Sequence, residues 1–565
     1  MATASRPRRY KGRGADAVVV AADPDAVRPA LREETFPVAL AAVVLSFVAL
    51  VVCYGHGWLL LYGDAVAHLG IARRILDSRN PGLGQLGGVW LPLPHLLMLP
   101  FVQKMQWWQN GLAGAWPSMA CYVFGVVGLY RLARRMMAVR WAFAAAVFYA
   151  LNPNLLYLAT TAMTEPLFLA LLIWTVLTLV EFVAAVRDGR LGAASRRLVG
   201  LGLLIFCAVM TRYDGWILGA AVWCWVALVL VRAPAVLRRV RVWAVVFTVV
   251  VVAGPVGWLA YNAHYYGDAL DFMRGPYSAS AIEKKTSAAG VFHPGWHDPV
   301  VALRFYRKSA QMDTAYGESG LALMWFAVAG AVVVVRRRGL RASLLLWMPM
   351  GFYAYSVTWG SVPVFIPVLW PFSFYNVRYG MEMLPAFAIF CAMALSWLQA
   401  RLRAEKEKHV VLMGELVYPV ALAVCAANAV GMMYEKPLVL REAIANSRTR
   451  VPFEEAVARE LGAMRAGVPI LMETGNYVGA LQRAGIPLAR TINEAGYYGW
   501  REAVADPAGH AAFVVAFEGD SVDAAVKAHP AGLTELTVLR TTGQPAARIY
   551  RSDVYRGDGG VTSAK

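Results

Sequence analysis

The stretch LLYGDAVAHLGIARRILDSRNPGLGQLGGVWLPLPHLLMLP, residues 60–100, directly follows the first long apolar segment of the chain. It contains Asp64, His68, Arg73 and Arg74, yet it begins and ends in sequence as apolar as a membrane span. Charged groups at such a place are costly and are usually kept for function. The stretch therefore predicts a membrane protein whose first loop carries part of a functional site.

The composition identifies the class of protein. Of 565 residues, 59% are hydrophobic and 16% are charged, and the mean hydropathy is +0.49, whereas about 25% of residues are charged in soluble domains. The net charge of +18 could indicate nucleic-acid binding, but the basic residues cluster in short loops, as in loops that face anionic lipid. The composition predicts a polytopic membrane protein without a nucleic-acid partner.

Apolar stretches long enough to cross a bilayer occur about eleven times. They lie near residues 36–54, 112–130, 141–158, 166–185, 198–211, 216–231, 242–261, 320–335, 342–358, 380–399 and 410–431. The predicted fold class is mainly α, a transmembrane helix bundle over 36–431. Before it, 1–35 is a basic tail, and since no cleavage motif follows the first apolar run, that run is an anchor and the tail is cytoplasmic.

The charges of the loops give an orientation independently of the span count. Four Lys or Arg residues occur in each of the loops 131–140, 187–197, 232–241, 336–341 and 401–408. All five loops fall on the cytoplasmic side when about eleven spans cross the membrane one after another, as the positive-inside rule requires. The loop 55–111 and everything after 432 are then extracytoplasmic, in a cell (inner or plasma) membrane.

Further charged residues lie at the same outer level. Glu165 occurs in TAMTEPLF, and Arg212 and Asp214 occur in MTRYDGW, each at an outer helix end. Taken singly, Glu165 before a proline fits a helix start, and Asp214 before a glycine fits a turn. Their common side and depth favour a site.

The segment GDAVAHLGIARRIL has the pattern of an amphipathic helix. Asp64 and His68 are four residues apart and therefore share one face. An ordinary surface helix with Asp64 near its N-terminus is the alternative. His68 and Asp64 are also two possible ligands for a divalent metal, and otherwise the sequence indicates no cofactor.

These motifs, with WLPLP after the first loop and NVRYGMEMLP late in the chain, resemble the GT-C superfamily of polytopic glycosyltransferases. The branch of protein O-mannosyltransferases and lipid A aminoarabinose transferases is the most similar. The resemblance implies transfer of a sugar from a polyprenyl-phosphate donor to a lipid, glycan or protein acceptor outside the cytoplasm. It places Asp64 near the reaction centre, with Glu165 as a second acidic position.

The sequence departs from relatives in two places. Many members of the mannosyltransferase branch have an Asp-Glu pair in the first loop, whereas Ala65 follows Asp64 here. The WWDYG motif of oligosaccharyltransferases is absent, which disfavours transfer of whole oligosaccharides.

The expected chemistry needs a carboxylate and cations. Asp64 would act as the base in an inverting transfer, with His68 and Asp214 at the substrate or behind these groups. Arg378, beside Tyr379, and Arg212 would hold the donor phosphate, because an arginine fork matches phosphate oxygens. Both arginines could instead be cations that snorkel to the interface.

Two outer segments could complete the site. Segment 360–375 is apolar but broken by three prolines, which predicts a hairpin against the protein and a wall for a polyprenyl chain. Segment 262–319 mixes aromatics with cations, as in a lid over a sugar phosphate, although long outer loops are often simply polar.

Residues 432–555 read as a small extracytoplasmic α/β domain, with strands at PILMET, FVVAF and LTELTVL and a disordered tail over 556–565. It could position the acceptor or only stabilise the protein.

The competing function for the whole chain is a transporter or flippase of a lipid-linked or anionic substrate, since acidic residues often mark transport paths. The gathering of charges at one face favours the enzyme over a transporter, whose site lies at the midplane.

Overall fold

The computed structural model describes residues 27–286, 292–360 and 362–556. Most of the predicted basic tail (1–35) and nearly all of the predicted disordered tail (556–565) lie outside these residues. The α-helices of the membrane part are Val27–Gly55, Gly63–Leu76, Leu93–Val102, Met105–Asn110, Leu112–Met136, Val139–Ala150, Pro153–Leu158, Glu165–Arg187, Leu191–Val209, Asp214–Val231, Pro234–Tyr266, Asp271–Arg274, Ala279–Thr286, Pro299–Thr314, Ser319–Val335, Met348–Trp359, Leu384–Arg403 and Lys408–Tyr434. Short 3-10 segments are Leu83–Leu86, Arg338–Trp347 and Val377–Met383.

The helices confirm a polytopic membrane protein. Eight helices in the described residues are long and apolar enough to cross a bilayer, and nine if a bent pair counts as one span. That pair is Pro299–Thr314 and Ser319–Val335, which meet at 101°. Each of the eleven predicted segments contains helix, but three of them are shorter or more broken than a single straight span.

The predicted span 141–158 shows why some segments are broken. Asn152 accepts a hydrogen bond from the backbone N–H of Leu155 at 3.1 Å, and Pro153 stands in the first turn of the new helix. A capping asparagine and a residue before proline both favour a helix boundary. The segment therefore forms two short helices, Val139–Ala150 and Pro153–Leu158.

The proline-broken segment forms a hairpin, as its sequence suggested. Phe365 and Tyr375 pair as an antiparallel bridge, with backbone N–H to carbonyl distances of 2.9 and 3.1 Å. The chain then passes through Asn376, at φ 55°, into the 3-10 segment Val377–Met383. This turn leads the chain to the start of the helix Leu384–Arg403.

The long helices approach each other closely at glycines. A Cβ atom on Gly330 would overlap the carbonyl group of Phe390 in the helix Leu384–Arg403. Such contact between helix backbones is common in membrane bundles, where small residues let helices pack tightly. The core is therefore a close-packed helix bundle.

The C-terminal part is an α/β domain, which confirms the predicted fold class. Its strands are β1 (Ile470–Met472), β2 (Thr491–Ile492), β3 (Phe513–Phe517), β4 (Leu533–Leu539) and β5 (Ala547–Ser552). They form one sheet in the order β2-β1-β3-β5-β4, with β1 parallel to β2 and β3 and with β5 antiparallel to β3 and β4. Its helical segments are Leu438–Ala463, Val478–Ala484, Leu488–Arg490, Trp500–Ala505, Pro507–His510 and Ser521–Ala528.

The sheet domain packs on the helix Gly63–Leu76, which we call the loop helix. Asp77, just after this helix, accepts backbone hydrogen bonds from Leu488 and Ala489, both at 3.2 Å. Arg450 donates to the carbonyls of Leu60 and Leu61 at 3.0 and 2.9 Å. The first loop is thereby held between the bundle and the C-terminal domain.

Candidate active site

The loop helix places Asp64 at its own N-terminus. Tyr62 precedes it in an extended conformation, and Asp64 lies in the first turn, where the helix dipole favours a negative charge. The small and apolar side chains of Ala65, Leu69 and Ala72 are buried against the bundle. The predicted amphipathic helix is therefore present, and the Asp64 side chain remains 40% exposed.

Arg378 connects Asp64 to the bundle. Its Nη2 donates to Asp64 Oδ2 at 2.5 Å, and its Nε donates to Glu165 Oε1 at 3.0 Å. Nη1 lies 3.9 Å from Glu442 Oε1, which is too far for a hydrogen bond. The Arg378 side chain is 8% exposed, so it is a buried centre of ion pairs and not a cation that snorkels to the interface.

Arg212 lies on the other side of Glu165. Its Nη1 donates to Thr164 Oγ1 at 2.9 Å and faces Glu165 Oε1 at 3.3 Å, while Nε donates to Asp214 Oδ2 at 3.1 Å. Glu165 therefore bridges two buried guanidinium groups. The structure brings the predicted residues Asp64, Glu165, Arg212, Asp214 and Arg378 into one group, which we call the charge network.

The network contains residues that sequence analysis missed. Arg212 Nη2 donates to Tyr353 OH at 2.7 Å and faces Glu382 Oε1 at 3.3 Å, and Tyr353 OH donates to Glu382 at 2.7 Å. Tyr62 OH donates to Glu442 Oε2 at 2.6 Å. Glu382, the one acidic residue in an apolar run, carried a usable signal. Glu442 did not, because its surroundings are ordinary amphipathic helix.

Tyr379 lies between the two arginines. The guanidinium carbons of Arg212 and Arg378 are each 5.0 Å from the centre of its ring. A ring at this distance attracts cations through its π face. Tyr379 therefore positions both arginines, and its predicted direct contact with a phosphate remains a prediction.

The network combines an excess of acid with one accessible carboxylate. Five carboxylates share two guanidinium groups: Asp64, Glu165, Asp214, Glu382 and Glu442. The side chains of the last four are at most 1% exposed, against 40% for Asp64. Buried carboxylates need paired cations or hydrogen bonds, and these four have them. Of these five carboxylates, Asp64 is thus the exposed one.

His68 lies next to this group with its ring held by two partners. Its Nδ1 is 2.8 Å from His95 Nε2, and its ring centre is 4.3 Å from that of Trp90. Burial lowers the pKa of His68 to about 4, so the imidazole is neutral at pH 7.

The two possible metal ligands are both engaged. Asp64 Oδ2 bonds to Arg378, and His68 bonds to His95. Among the described residues, no group of three His, Cys, Asp or Glu side chains is placed to hold a metal ion. The divalent metal that the sequence left open therefore stays a prediction.

Two basic residues of segment 262–319, Lys308 and His293, contact acidic residues of the same segment. Lys308 Nζ lies 2.8 Å from Glu318, and His293 bonds to Glu283. These contacts neither confirm nor exclude the predicted lid, which remains a prediction.

Comparison with known proteins supports this architecture. Residues 97–258 match the family of dolichyl-phosphate-mannose-protein mannosyltransferases. No curated protein sequence matches the chain.

Solved structures are similar over most of the chain. ArnT from Cupriavidus metallidurans in the apo state has a TM-score of 0.54 and 14% identity, covering 90% of this chain and 98% of ArnT. The same protein bound to undecaprenyl phosphate gives a TM-score of 0.56 and 13% identity, covering 90% and 97%. The oligosaccharyltransferase of Archaeoglobus fulgidus is less similar, with a TM-score of 0.44 and 12% identity, covering 86% and 69%.

Both the family match and the ArnT fold agree with the resemblance drawn from the first loop and from NVRYGMEMLP. The chain is therefore a multi-pass membrane protein with the fold of the GT-C glycosyltransferases.

Proposed function

We propose that the protein is a membrane glycosyltransferase that moves a sugar from a polyprenyl-phosphate donor to an acceptor outside the cytoplasm. The observation that carries the proposal is the position of Asp64, the exposed carboxylate at the edge of an otherwise buried charge network. The fold shared with ArnT, which has been solved with undecaprenyl phosphate bound, supports the choice of donor. The acceptor is a lipid, glycan or protein. The protein would also contact the lipids of the membrane that surrounds it.

Asp64 would act as the base. Arg378 holds Asp64 Oδ2 in place, while the exposed part of the side chain can accept the proton of an acceptor hydroxyl. The acceptor oxygen then bonds to the anomeric carbon as the bond from that carbon to the phosphate oxygen breaks. One displacement of this kind inverts the anomeric configuration.

The departing phosphate would be held by Arg378. Within the described residues, its Nη1 has no hydrogen-bond acceptor closer than Glu442 at 3.9 Å, so its hydrogens are available to a phosphate oxygen. Arg212 has all three nitrogens engaged by Thr164, Asp214 and Tyr353. We therefore assign the phosphate contact to Arg378, and give Arg212 and Tyr379 the role of holding Arg378 and Glu165 in place.

The extracytoplasmic location rests on the ends of three helices. Glu165 begins the helix that ends at Arg187, and Asp214 begins the helix that leads into loop 232–241. Arg378 precedes the helix that ends at Arg403. The charge network therefore lies opposite the loops with four cations, which the positive-inside rule assigns to the cytoplasm. A reporter fused at the C-terminus should be active only outside the cytoplasm, and activity inside would reverse the assignment.

The enzymatic proposal is tested with purified protein in lipid vesicles and labelled polyprenyl-phosphate sugars. Transfer of label to added lipid, glycan or peptide acceptors is expected, and it should fall by about a hundredfold or more in Asp64→Asn. Asp188→Asn is the matched control, because Asp188 is a similarly exposed aspartate paired with Arg187 and Arg190 in a predicted cytoplasmic loop. Movement of the labelled lipid across the vesicle without transfer would instead support the transporter alternative.

A further inference from the structure

The loop helix ends in two neighbouring arginines with different surroundings. Arg73 is neutralised by Asp77, with Nε to Oδ2 at 2.8 Å, and it also donates to the carbonyl of Val102 at 2.6 Å. Arg74 donates from Nε to the carbonyl of Gln85 at 2.5 Å. In the described part of the chain, no carboxylate lies within 4.0 Å of the Arg74 guanidinium. Arg74 thus has no ion-pair partner at this distance, although Glu494 acts on it electrostatically.

Tyrosines from two parts of the molecule surround this charge. The hydroxyls of Tyr261 and Tyr266 donate to the carbonyls of Leu83 and Gly84 at 2.9 and 3.1 Å, in the same 3-10 segment whose Gln85 carbonyl accepts from Arg74. Burial lowers the pKa of the Arg74 guanidinium. The rings of Tyr266 and Tyr497 are 6.3 Å apart, so the helix Pro234–Tyr266 meets the C-terminal domain beside Arg74. Neutral hydroxyls do not cancel the charge, and a partly buried arginine favours an anionic partner.

The nearest acidic residue, Glu494, is already committed to other groups. Its carboxylate accepts the backbone N–H of Thr474 at 3.0 Å and that of Gly475 at 2.6 Å. Tyr277 OH lies 3.5 Å from the same carboxylate. These bonds hold Glu494 in the C-terminal domain, and within the described residues it forms no ion pair with Arg74.

Several tyrosine rings at this place are exposed on the surface of the molecule. Tyr497 is 59% exposed although its φ of 56° is unfavourable for a side chain with a Cβ atom. Such strain persists where the surrounding structure holds it, often at a binding site. Tyr265 is 46% and Tyr277 is 45% exposed. Flat rings with polar tips offer sugars both a stacking face and hydrogen bonds.

We propose that Arg74 and these tyrosines bind the acceptor, and that the acceptor is an anionic saccharide. A sugar ring would stack on Tyr497 or Tyr265, and a carboxylate or phosphate on the saccharide would pair with Arg74. We call this group of residues the acceptor surface. It is separate from the donor phosphate contact at Arg378.

The loop helix relates the acceptor surface to the reaction centre. Ten residues separate Arg74 from Asp64 on one helix, which is about 15 Å at 1.5 Å per residue. A single sugar does not reach across this distance, so the acceptor would be a chain of sugars with its reactive hydroxyl at Asp64. This inference rests on the proposed glycosyl transfer, since it names the acceptor class of that reaction.

Binding to purified full-length protein without donor tests the acceptor surface by itself. The probes are a hexuronate oligosaccharide, its carboxyl-reduced neutral form, a phosphorylated oligosaccharide and an uncharged Ser/Thr peptide. We expect both charged saccharides to bind. Arg74→Gln should weaken them about tenfold, the usual scale for a lost charged hydrogen bond, and should change binding of the neutral form little.

Variants of exposed residues keep the test independent of folding. Tyr497→Ala removes an exposed ring and should weaken charged and neutral saccharides alike, by a similar factor. Arg459→Gln and Tyr434→Ala are the matched controls, because these residues are exposed elsewhere on the chain, and both should bind like wild type.

Each outcome decides the inference. Absence of saccharide binding in the wild type, unchanged binding in both Arg74→Gln and Tyr497→Ala, or binding of the peptide in place of the saccharides would overturn it. A wild type that binds charged saccharides through these residues but transfers no sugar would contradict the proposed enzyme while leaving the acceptor surface standing. If the protein transfers sugar and neither variant changes the rate, the proposed enzyme would stand and the acceptor surface would be overturned.

Discussion

Asp64 and Glu165 carry the same charge but occupy opposite positions in the charge network, and this contrast allows a sharp test. Asp64 has one cation partner, Arg378, and a side chain that is 40% exposed. Glu165 is fully buried and bridges Arg378 at 3.0 Å and Arg212 at 3.3 Å. Asp64→Asn should therefore damage catalysis, whereas Glu165→Gln should mainly damage stability.

The magnitudes follow from these surroundings. Solvent screens the Asp64 side of this ion pair, and Arg378 keeps its bond to Glu165, so Asp64→Asn should cost about 1 kcal/mol of stability or less. Loss of a general base lowers turnover by about 10² or more, which corresponds to about 2.7 kcal/mol of transition-state stabilisation. Glu165→Gln leaves two buried guanidinium groups without their shared carboxylate, and breaking a buried pair costs about 3–5 kcal/mol.

The assay combines thermal unfolding of the detergent-purified variants with initial rates of transfer at saturating donor. Asp64→Asn should unfold close to the wild-type temperature with little activity. Glu165→Gln should unfold several degrees lower, with a smaller loss of activity per folded molecule. Near-normal turnover in Asp64→Asn would return Asp64 to the role of a helix-start residue. Equal destabilisation of the two variants would refute the distinction between an accessible and a buried carboxylate.

Three further predictions follow from other parts of the structure. Arg378→Lys keeps the charge but loses the planar fork, so donor titration should show weaker donor use. Arg378→Ala should also lose about 3–5 kcal/mol of stability, because buried carboxylates lose their cation. An unchanged donor titration in both variants would exclude Arg378 from the phosphate site. The pKa of His68 is about 4 in the folded protein against 6.5 in the unfolded chain, so the unfolded chain binds the extra proton at lower pH. The stability of the fold should therefore fall as the pH falls from 6.5 towards 4, by about 2 kcal/mol at pH 5. Melting temperatures of wild type and His68→Gln should diverge across this range, and parallel curves would contradict the low pKa. Gly330→Ala should destabilise the bundle by about 1–3 kcal/mol through overlap with Phe390, whereas Gly257→Ala, with open space at its Cβ, should be neutral or stabilising in thermal unfolding.

The expected roles of the two arginines changed most between sequence and structure. The sequence showed Arg212 and Arg378 at outer helix ends and left open whether they bind phosphate or snorkel to the interface. Both are buried in ion pairs, and Arg212 has no free nitrogen for a phosphate. The reason is that Glu382, four residues after Arg378, reaches Arg212 from another helix, and that Glu442 approaches Arg378 from the C-terminal domain.

The C-terminal domain also proved closer to the site than its sequence suggested. Its first helix, Leu438–Ala463, carries Glu442 into the charge network, where Tyr62 from the first loop donates to it. No short motif marks this residue, because an acidic residue in an amphipathic helix is usually a solvated one. Two strands, β2 and β5, were missed as well. The strand β2 has only two residues, and two of the six residues of β5 are arginines.

The sequence by itself determined the membrane class, the helical segments, the loop helix with Asp64 and His68 on one face, and the alternation of loop charge. These properties depend on the transfer of short windows from water to lipid and on helical periodicity, both of which are local sums over neighbouring residues. Only the tertiary structure decided which charges meet. Asp64 and Arg378 are 314 residues apart in the chain and 2.5 Å apart in space, and the free energy of such a pair depends on burial and geometry that no local window contains.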